Sequence, residues 1–328
     1  MTAPIVDRRG RLHGGWVVTA TVSTVVVCTV MFAAYTVFVG FSDMTDRLSR
    51  LGTGAIAAIL GLALINYILR GIRWHHFSRC LSLQSHLPYD LLLYFAGFAL
   101  TLTPGKMGEL VRLWFLRIRY GYSLFRTLPL TIGDRFCDLI AVAALMMMSA
   151  SYPILDSYAL TVACAAAMAG LVLILFNGRF IKLSVEAVYD RLRLMPRLFA
   201  RFRGMGRAYT QVTSTRAYAV ALPLSVLGWV AEVQILYVTA AELGAPIDWA
   251  AACFIFTAST IIGAILLIPG GLGGSDVSMA GLLILAGVEF DTALAITLIV
   301  RAATLWFAAA LGIMTIPIAA VASRKPAD

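Results

Sequence analysis

The stretch YDLLLYFAGFALTLTPGKMGELVRLWFL, Tyr89–Leu116, decides how this chain is read. Its apolar arm Tyr89–Thr103 stops at Pro104–Gly105 and restarts as Gly108–Leu116 instead of running on as a simple span. A second stretch has the same form: Ala250–Ile268 ends at Pro269–Gly270–Gly271 and restarts as Val277–Ala286. Proline removes a backbone donor and blocks helix continuation, and glycine tolerates the turn that follows. Both stretches are read as re-entrant helical hairpins. A Pro-Gly pair that only ends a helix at the membrane surface is the blander reading, and two equivalent breaks are harder to explain that way. Backbone breaks survive at membrane depth when they face protein or a wet cavity.

Around these stretches lies an unusually apolar chain. Of its 328 residues 60% are hydrophobic and 13% charged, with mean hydropathy +0.87. Soluble domains carry roughly 25% charged residues, so a soluble enzyme, a nucleic-acid-binding domain and a secreted disulfide scaffold are all disfavoured. Disordered chains are polar and highly charged, which excludes that class too. Barrel strands alternate over ~10 residues, whereas Ala55–Leu69 is nearly unbroken. The expected class is an all-α polytopic membrane protein forming one integral membrane domain over 1–328. The net charge of +9 and pI of 9.6 then report which loops face the cytoplasm, with no nucleic-acid partner expected. Cys28, Cys80, Cys137, Cys164 and Cys253 stand singly, without a C-x-x-C, and read as reduced thiols. His13, His75, His76 and His86 lack metal-ligand spacing, so neither a metal nor a cofactor is expected.

About six spanning helices are predicted, at ~20 apolar residues each. They are Trp16–Phe41, Thr53–Leu69, Leu128–Ser149, Tyr158–Phe176, Ala217–Ala241 and Ala293–Ala319. The first run is longer than a signal-peptide core and is followed by further spans, so it reads as an uncleaved helix. Arg70, Arg73 and Trp74 read as a cation-and-aromatic anchor ending the second span. Segment 177–216 holds nine Lys/Arg against Glu186 and Asp190, and segment 70–127 holds eight against Asp90 and Glu109. The proposed external loops carry Asp43, Asp46, Asp156, Glu242, Asp248, Glu289 and Asp291 with only Arg47 and Arg50. The positive-inside rule therefore places both termini in the cytoplasm of an inner membrane, provided each hairpin returns to its own side. In the basic 177–216 loop, Phe180, Ile181, Leu183, Val185, Val188 and Leu192 fall among the cations. This predicts an amphipathic helix on anionic inner-leaflet lipids.

The hairpins also belong to an internal repeat. Pro104-Gly105-Lys106-Met107-Gly108-Glu109 is echoed by Pro269-Gly270-Gly271-Leu272-Gly273-Gly274, 165 positions on (104 to 269). Arg135 is echoed by Arg301, 166 positions on (135 to 301). The helices bearing the two arginines run in opposite directions, so repeat one (51–150) and repeat two (217–316) are expected to be inverted. Inverted repeats with broken helices are a transporter plan, with substrate bound near the midplane.

The chemistry-bearing residues cluster at these breaks. Arg301 lies in an apolar helix with no acid near it in sequence, and an intramembrane charge seeks a partner or a cavity. Arg135 has Asp134 beside it and Asp138 three positions on, which fits either a neutralised pair or a binding group. Lys106 and Arg112 flank Glu109 where a helix N-terminus attracts anions, and they read as phosphate-binding or as anchors on lipid headgroups. Asp134, Asp138, Glu232 and Asp276 are the possible charge partners; Glu232 could counter Arg301, carry a coupling proton or simply join helices.

The run Thr103-Pro104-Gly105-Lys106-Met107-Gly108-Glu109-Leu110-Val111-Arg112, with Asp134-Arg135-Phe136-Cys137-Asp138, Ile268-Pro269-Gly270-Gly271-Leu272-Gly273 and Arg301, resembles the lysylphosphatidylglycerol synthase transmembrane region. That is a flippase-like family of bacterial and archaeal membrane proteins, and the resemblance covers roughly Leu51 to Ile316. Full-length synthases carry a soluble C-terminal transferase domain. This sequence ends at Asp328, so aminoacyl transfer is not implied. Gly274 stands where the first hairpin has Glu109, so the hairpins need not bind alike. The resemblance implies movement of a phospholipid, glycolipid or polyprenyl-phosphate-linked lipid between leaflets.

The expected function is alternating-access flipping or scrambling of an anionic lipid, with Lys106, Glu109, Arg112, Arg135 and Arg301 at the headgroup. No G-x-x-x-x-G-K-[ST] occurs, so energy would come from an ion gradient, the substrate gradient or a partner. Such a partner would be an envelope-lipid biosynthesis protein or a second copy. The alternatives are a membrane enzyme acting on lipid-linked sugars or phospholipids through Glu109, Asp134 and Asp138, and a non-transporting scaffold.

Overall fold

The computed structural model describes residues 51–101, 108–149, 166, 170, 208–265 and 273–324, and all of its regular structure there is helical. The first helix, α1, runs Thr53–Cys80. It is followed by α2 (Leu87–Gly97) with a 3-10 turn at Phe98–Leu100, α3 (Gly108–Tyr120) and α4 (Leu124–Met148). The second half opens with α5 (Thr215–Glu242) and continues with α6 (Trp249–Ile265) and α7 (Gly274–Leu285). It ends with α8 (Phe290–Arg301), a π-helical turn (Ala302–Trp306) and α9 (Phe307–Ser323). Among the described residues, three helices are long and apolar enough to cross a membrane: α1, α5 and the continuous Phe290–Ser323. The predicted spans at Trp16–Phe41 and Tyr158–Phe176 lie outside the described residues, apart from Ala166 and Gly170. So do the amphipathic stretch 177–207 and the turn residues Pro104, Gly105, Lys106, Pro269, Gly270 and Gly271.

Local geometry recurs along the chain. α1 and α5 are both 28 residues long. α1 ends with Ser82 at φ +52°, where Ser82 N donates to Arg79 O and Leu83 N to Ser78 O. α5 ends with Gly244 at φ +76°, where Gly244 N donates to Ala241 O and Ala245 N to Ala240 O. These are the same left-handed C-cap at positions 82 and 244. α3 and α7 are followed by Gly121 at φ +71° and Gly287 at φ +91°.

Packing pairs the two halves crosswise. Asn66 meets Glu232, Arg73 meets Ser225 and His76 meets Ala217, so α1 and α5 cross antiparallel. Gly228 permits this approach, since a Cβ there would stand 2.8 Å from Asn66 Oδ1. α9 packs on α2 and its 3-10 turn, with Gly312 against the Ala99 backbone, while α6 packs on α4, where Cys253 Sγ meets Leu145 O at 3.3 Å. Small residues at such contacts let backbones approach, which is how helices associate in lipid. One core gathers around the α1–α5 crossing (Tyr67, Leu236, Ile255, Leu283, Ile296), and another around Trp74, Phe77, Leu93, Phe115 and Leu130.

One reading of the sequence is corrected. Arg70, Arg73 and Trp74 do not end a helix at an interface. α1 continues to Cys80, and Arg73 and Trp74 are fully buried. The carboxylates of α4 and the Ser225 hydroxyl of α5 hold the arginine inside the protein, so it needs no exit to water.

Candidate functional site

The site is built where α2, α3 and α4 meet the α1–α5 crossing. α2 and α3 touch through Gly97 and Gly108: a Cβ on Gly108 would overlap the Gly97 carbonyl, and one on Gly97 would overlap Arg112 Nε. The missing side chains leave a slot in which the Arg112 side chain lies. Its guanidinium sits 3.7 Å from the Tyr94 ring centre, 5.5 Å from Trp74 and 5.7 Å from Phe98. Arg112 is 5% exposed, forms no ion pair among the described residues, and its Nε lacks a hydrogen-bond partner there. A desolvated cation over aromatic faces gains about 2 kcal/mol or more. That offsets only part of the several kcal/mol an unpaired buried charge costs.

Next to this cage lies a charge network. Arg73 forks onto α4, with Nη2 at 2.6 Å from Asp134 Oδ1 and Nη1 at 2.8 Å from Asp138 Oδ1. It also donates to Ser225 Oγ on α5. Asp138 is the hub: it accepts from Trp229 Nε1 at 3.2 Å and lies 3.3 Å from Arg70 and 3.7 Å from Arg135. Arg70 donates through Nε to Asn66 Oδ1 at 2.8 Å, stacks 4.7 Å from the Trp229 ring centre and lies 3.6 Å from Glu232. Asn66 in turn donates to Glu232 Oε1 at 2.5 Å. Arg135 completes the cluster by pairing with Glu109 in the first turn of α3. Four arginines (Arg70, Arg73, Arg112, Arg135) thus stand among four carboxylates (Glu109, Asp134, Asp138, Glu232).

The second half carries a smaller version. Arg301, at the end of α8, pairs through Nε with Asp276 Oδ1 in the first turn of α7. Asp276 Oδ2 accepts from Gly273 N at 2.8 Å and so caps α7 at the same time. Gly263 makes room for Ser275, much as Gly97 makes room for Gly108. In the π turn after Arg301, the carbonyls of Ala303 and Thr304 accept from Tyr67 Oη at 3.0 and 2.8 Å. Single π turns inside α-helices often mark functional positions.

The structure therefore gathers Glu109, Arg112, Arg135, Asp134, Asp138 and Glu232 in one region, and pairs Arg301 with Asp276. Of the three roles read for Glu232, joining helices fits its contacts with Arg70 and Asn66. Lys106 lies outside the described residues, while Gly108 and Gly273 open the second arms. Arg70, Arg73, Asn66 and Trp229 are members the sequence reading missed. A signal existed: no Gly-Pro break separates Leu69 from Cys80, and the i, i+3 arginines match the i, i+4 carboxylates Asp134 and Asp138. No group of three His, Cys, Asp or Glu side chains among the described residues is placed to hold a metal.

The chain is similar to several known membrane proteins. A UPF0104 membrane protein of Methanothermobacter thermautotrophicus is 27% identical over 277 residues, covering 79% of this chain and 80% of its own. A second from the same organism is 24% identical over 319 residues, covering 89% and 94%. A UPF0104 membrane protein of Pyrococcus horikoshii is 22% identical over 280 residues, covering 76% and 82%. The family model described as the lysylphosphatidylglycerol synthase TM region matches residues 17–312. The protein is a multi-pass membrane protein, and it belongs to the lysylphosphatidylglycerol synthase transmembrane-region family.

Proposed function

We propose that this protein flips or scrambles an anionic lipid, such as a phospholipid, glycolipid or polyprenyl-phosphate-linked lipid, between the leaflets of the inner membrane. The observation that carries the reading is Arg112, a caged, buried guanidinium without an ion pair among the described residues, one turn from the Arg135–Glu109 pair. Such a group suits a phosphate, which a guanidinium grips through two parallel N–H donors. The headgroup rests on Arg112 and Arg135 in a wet cavity while the tails stay in lipid, and Arg301 serves the second half.

The 28-residue helices crossing antiparallel, the matching caps at Ser82 and Gly244 and the crosswise packing support an inverted repeat. In that reading repeat one is 51–150 and repeat two 217–316. α2–α3 and α6–α7 are re-entrant hairpins entering from opposite sides, and both termini are cytoplasmic with the 177–216 loop on anionic lipid. Rocking of one repeat against the other opens the cavity to each leaflet in turn. Glu109, Asp134 and Asp138 are each engaged by arginine, which favours transport over acid–base catalysis.

The test is reconstitution into liposomes with leaflet-specific lipid reporters. Arg112→Gln and Arg301→Ala are expected to reduce transport at least tenfold at unchanged protein level. Wild-type rates in both variants would refute the assigned site.

A further inference from the structure

Arg135 and Arg301 occupy equivalent places 166 positions apart, and each is held by a carboxylate from the first turn of the short helix before it. Glu109 reaches back from α3 to α4, and Asp276 from α7 to α8. The acids are not aligned letter for letter: Gly274 and Ser275 stand where a strict copy would place Glu109, and Asp276 supplies the charge. A carboxylate and a phosphate use the same guanidinium fork, so each acid sits on the donors an incoming phosphate needs. Arg135 is also the most open arginine of its cluster, with a side chain 41% exposed against 14% for Arg70 and none for Arg73. Arg73 is locked between two carboxylates and a hydroxyl, whereas Arg135 holds Glu109 closely and Asp138 only at 3.7 Å.

We infer that Glu109 and Asp276 are resident stand-ins for the headgroup anion, each neutralising its arginine in the empty protein and yielding it when a lipid phosphate arrives. This rests on the transport reading and adds to it a device for coupling occupancy to motion. The Glu109–Arg135 pair ties the second arm of one broken segment to the long helix after it, and Asp276–Arg301 ties the other. A phosphate that takes the arginine releases the tie, so the arm is free to move only when cargo is present. The stand-in also contributes counter-charge to its arginine at membrane depth between cycles.

The experiment compares wild type, Glu109→Gln, Asp276→Asn and Arg135→Gln in detergent micelles. It measures binding of acyl-chain-labelled phosphatidylglycerol, with labelled phosphatidylcholine as the zwitterionic control, and then flipping in liposomes. Asparagine at 276 retains an oxygen for the Gly273 cap, so this variant keeps the test open should Glu109→Gln misfold. Removing a stand-in is expected to tighten phosphatidylglycerol binding roughly tenfold and to slow flipping, while Arg135→Gln weakens binding. An ion pair that only holds helices together predicts the reverse, weaker binding on loss of the acid. Unchanged or weaker binding in folded Glu109→Gln and Asp276→Asn overturns the stand-in role and leaves the transport reading intact. A wild type that neither binds nor flips phosphatidylglycerol overturns the transport reading for phospholipid cargo.

Discussion

Replacing Arg73 by Met removes the one guanidinium that forms an ion pair with Asp134 among the described residues. Asp138 keeps Arg70 at 3.3 Å, Arg135 at 3.7 Å and the Trp229 N–H at 3.2 Å. Asp134 is 4% exposed and forms no other ion pair among the described residues, so the loss falls on it. Breaking a buried pair by removing one partner costs about 3–5 kcal/mol, because the remaining charge is left uncompensated. Methionine fills much of the arginine stem's volume, so the cavity contribution is small and the change is chiefly electrostatic. Asp134→Asn in the Arg73→Met background is expected to recover more than half of the loss, since the orphaned charge is then gone. Lysine at 73 should fall between, because a single ammonium cannot reach Asp134, Asp138 and Ser225 together. Equilibrium unfolding in detergent micelles, run as a double-mutant cycle, reads these differences directly. A loss below about 1 kcal/mol for Arg73→Met, or strictly additive single and double variants, would refute the claim that Arg73 serves chiefly as the counterion of Asp134.

Three further outcomes follow from the same geometry. Tyr67→Phe removes the hydroxyl that serves the π-turn carbonyls of Ala303 and Thr304 and should cost about 1–3 kcal/mol of unfolding free energy in micelles. Gly108→Ala drives a methyl group into the Gly97 carbonyl, which is backbone and cannot step aside; about 1–3 kcal/mol is expected to be lost, with Arg112-dependent lipid binding lost as well. Gly61→Ala meets nothing within 4 Å inside a regular helix and should raise stability by about 0.5–1 kcal/mol, measured by the same unfolding assay.

Much of the architecture was legible in the chain. Apolar runs interrupted by Pro-Gly located the arms later seen as α2, α3, α6 and α7, because helix length and helix stops are local properties. Arg135 and Arg301 stood out because a charge in an apolar helix is conspicuous without any partner in view. The end of α1 was misread for the opposite reason. Arg70, Arg73 and Trp74 have the composition of an interfacial anchor, and only neighbours distant in sequence make them interior. Arg112 was singled out from its place after a break, but its cage of Trp74, Tyr94 and Phe98 is drawn from three elements and has no sequence signature.

Sequence by itself thus determined that the chain lives in a membrane, where its helices break, and which charges are costly enough to need a reason. Those facts follow from hydropathy, proline and glycine, which act over a few residues. Tertiary structure alone decided which acid answers which arginine: Glu109 for Arg135, Asp276 for Arg301, Asp134 for Arg73 and Glu232 for Arg70. Ion pairing depends on the rotation and depth at which helices cross, and at Coulombic range a turn of one helix exchanges one partner for another.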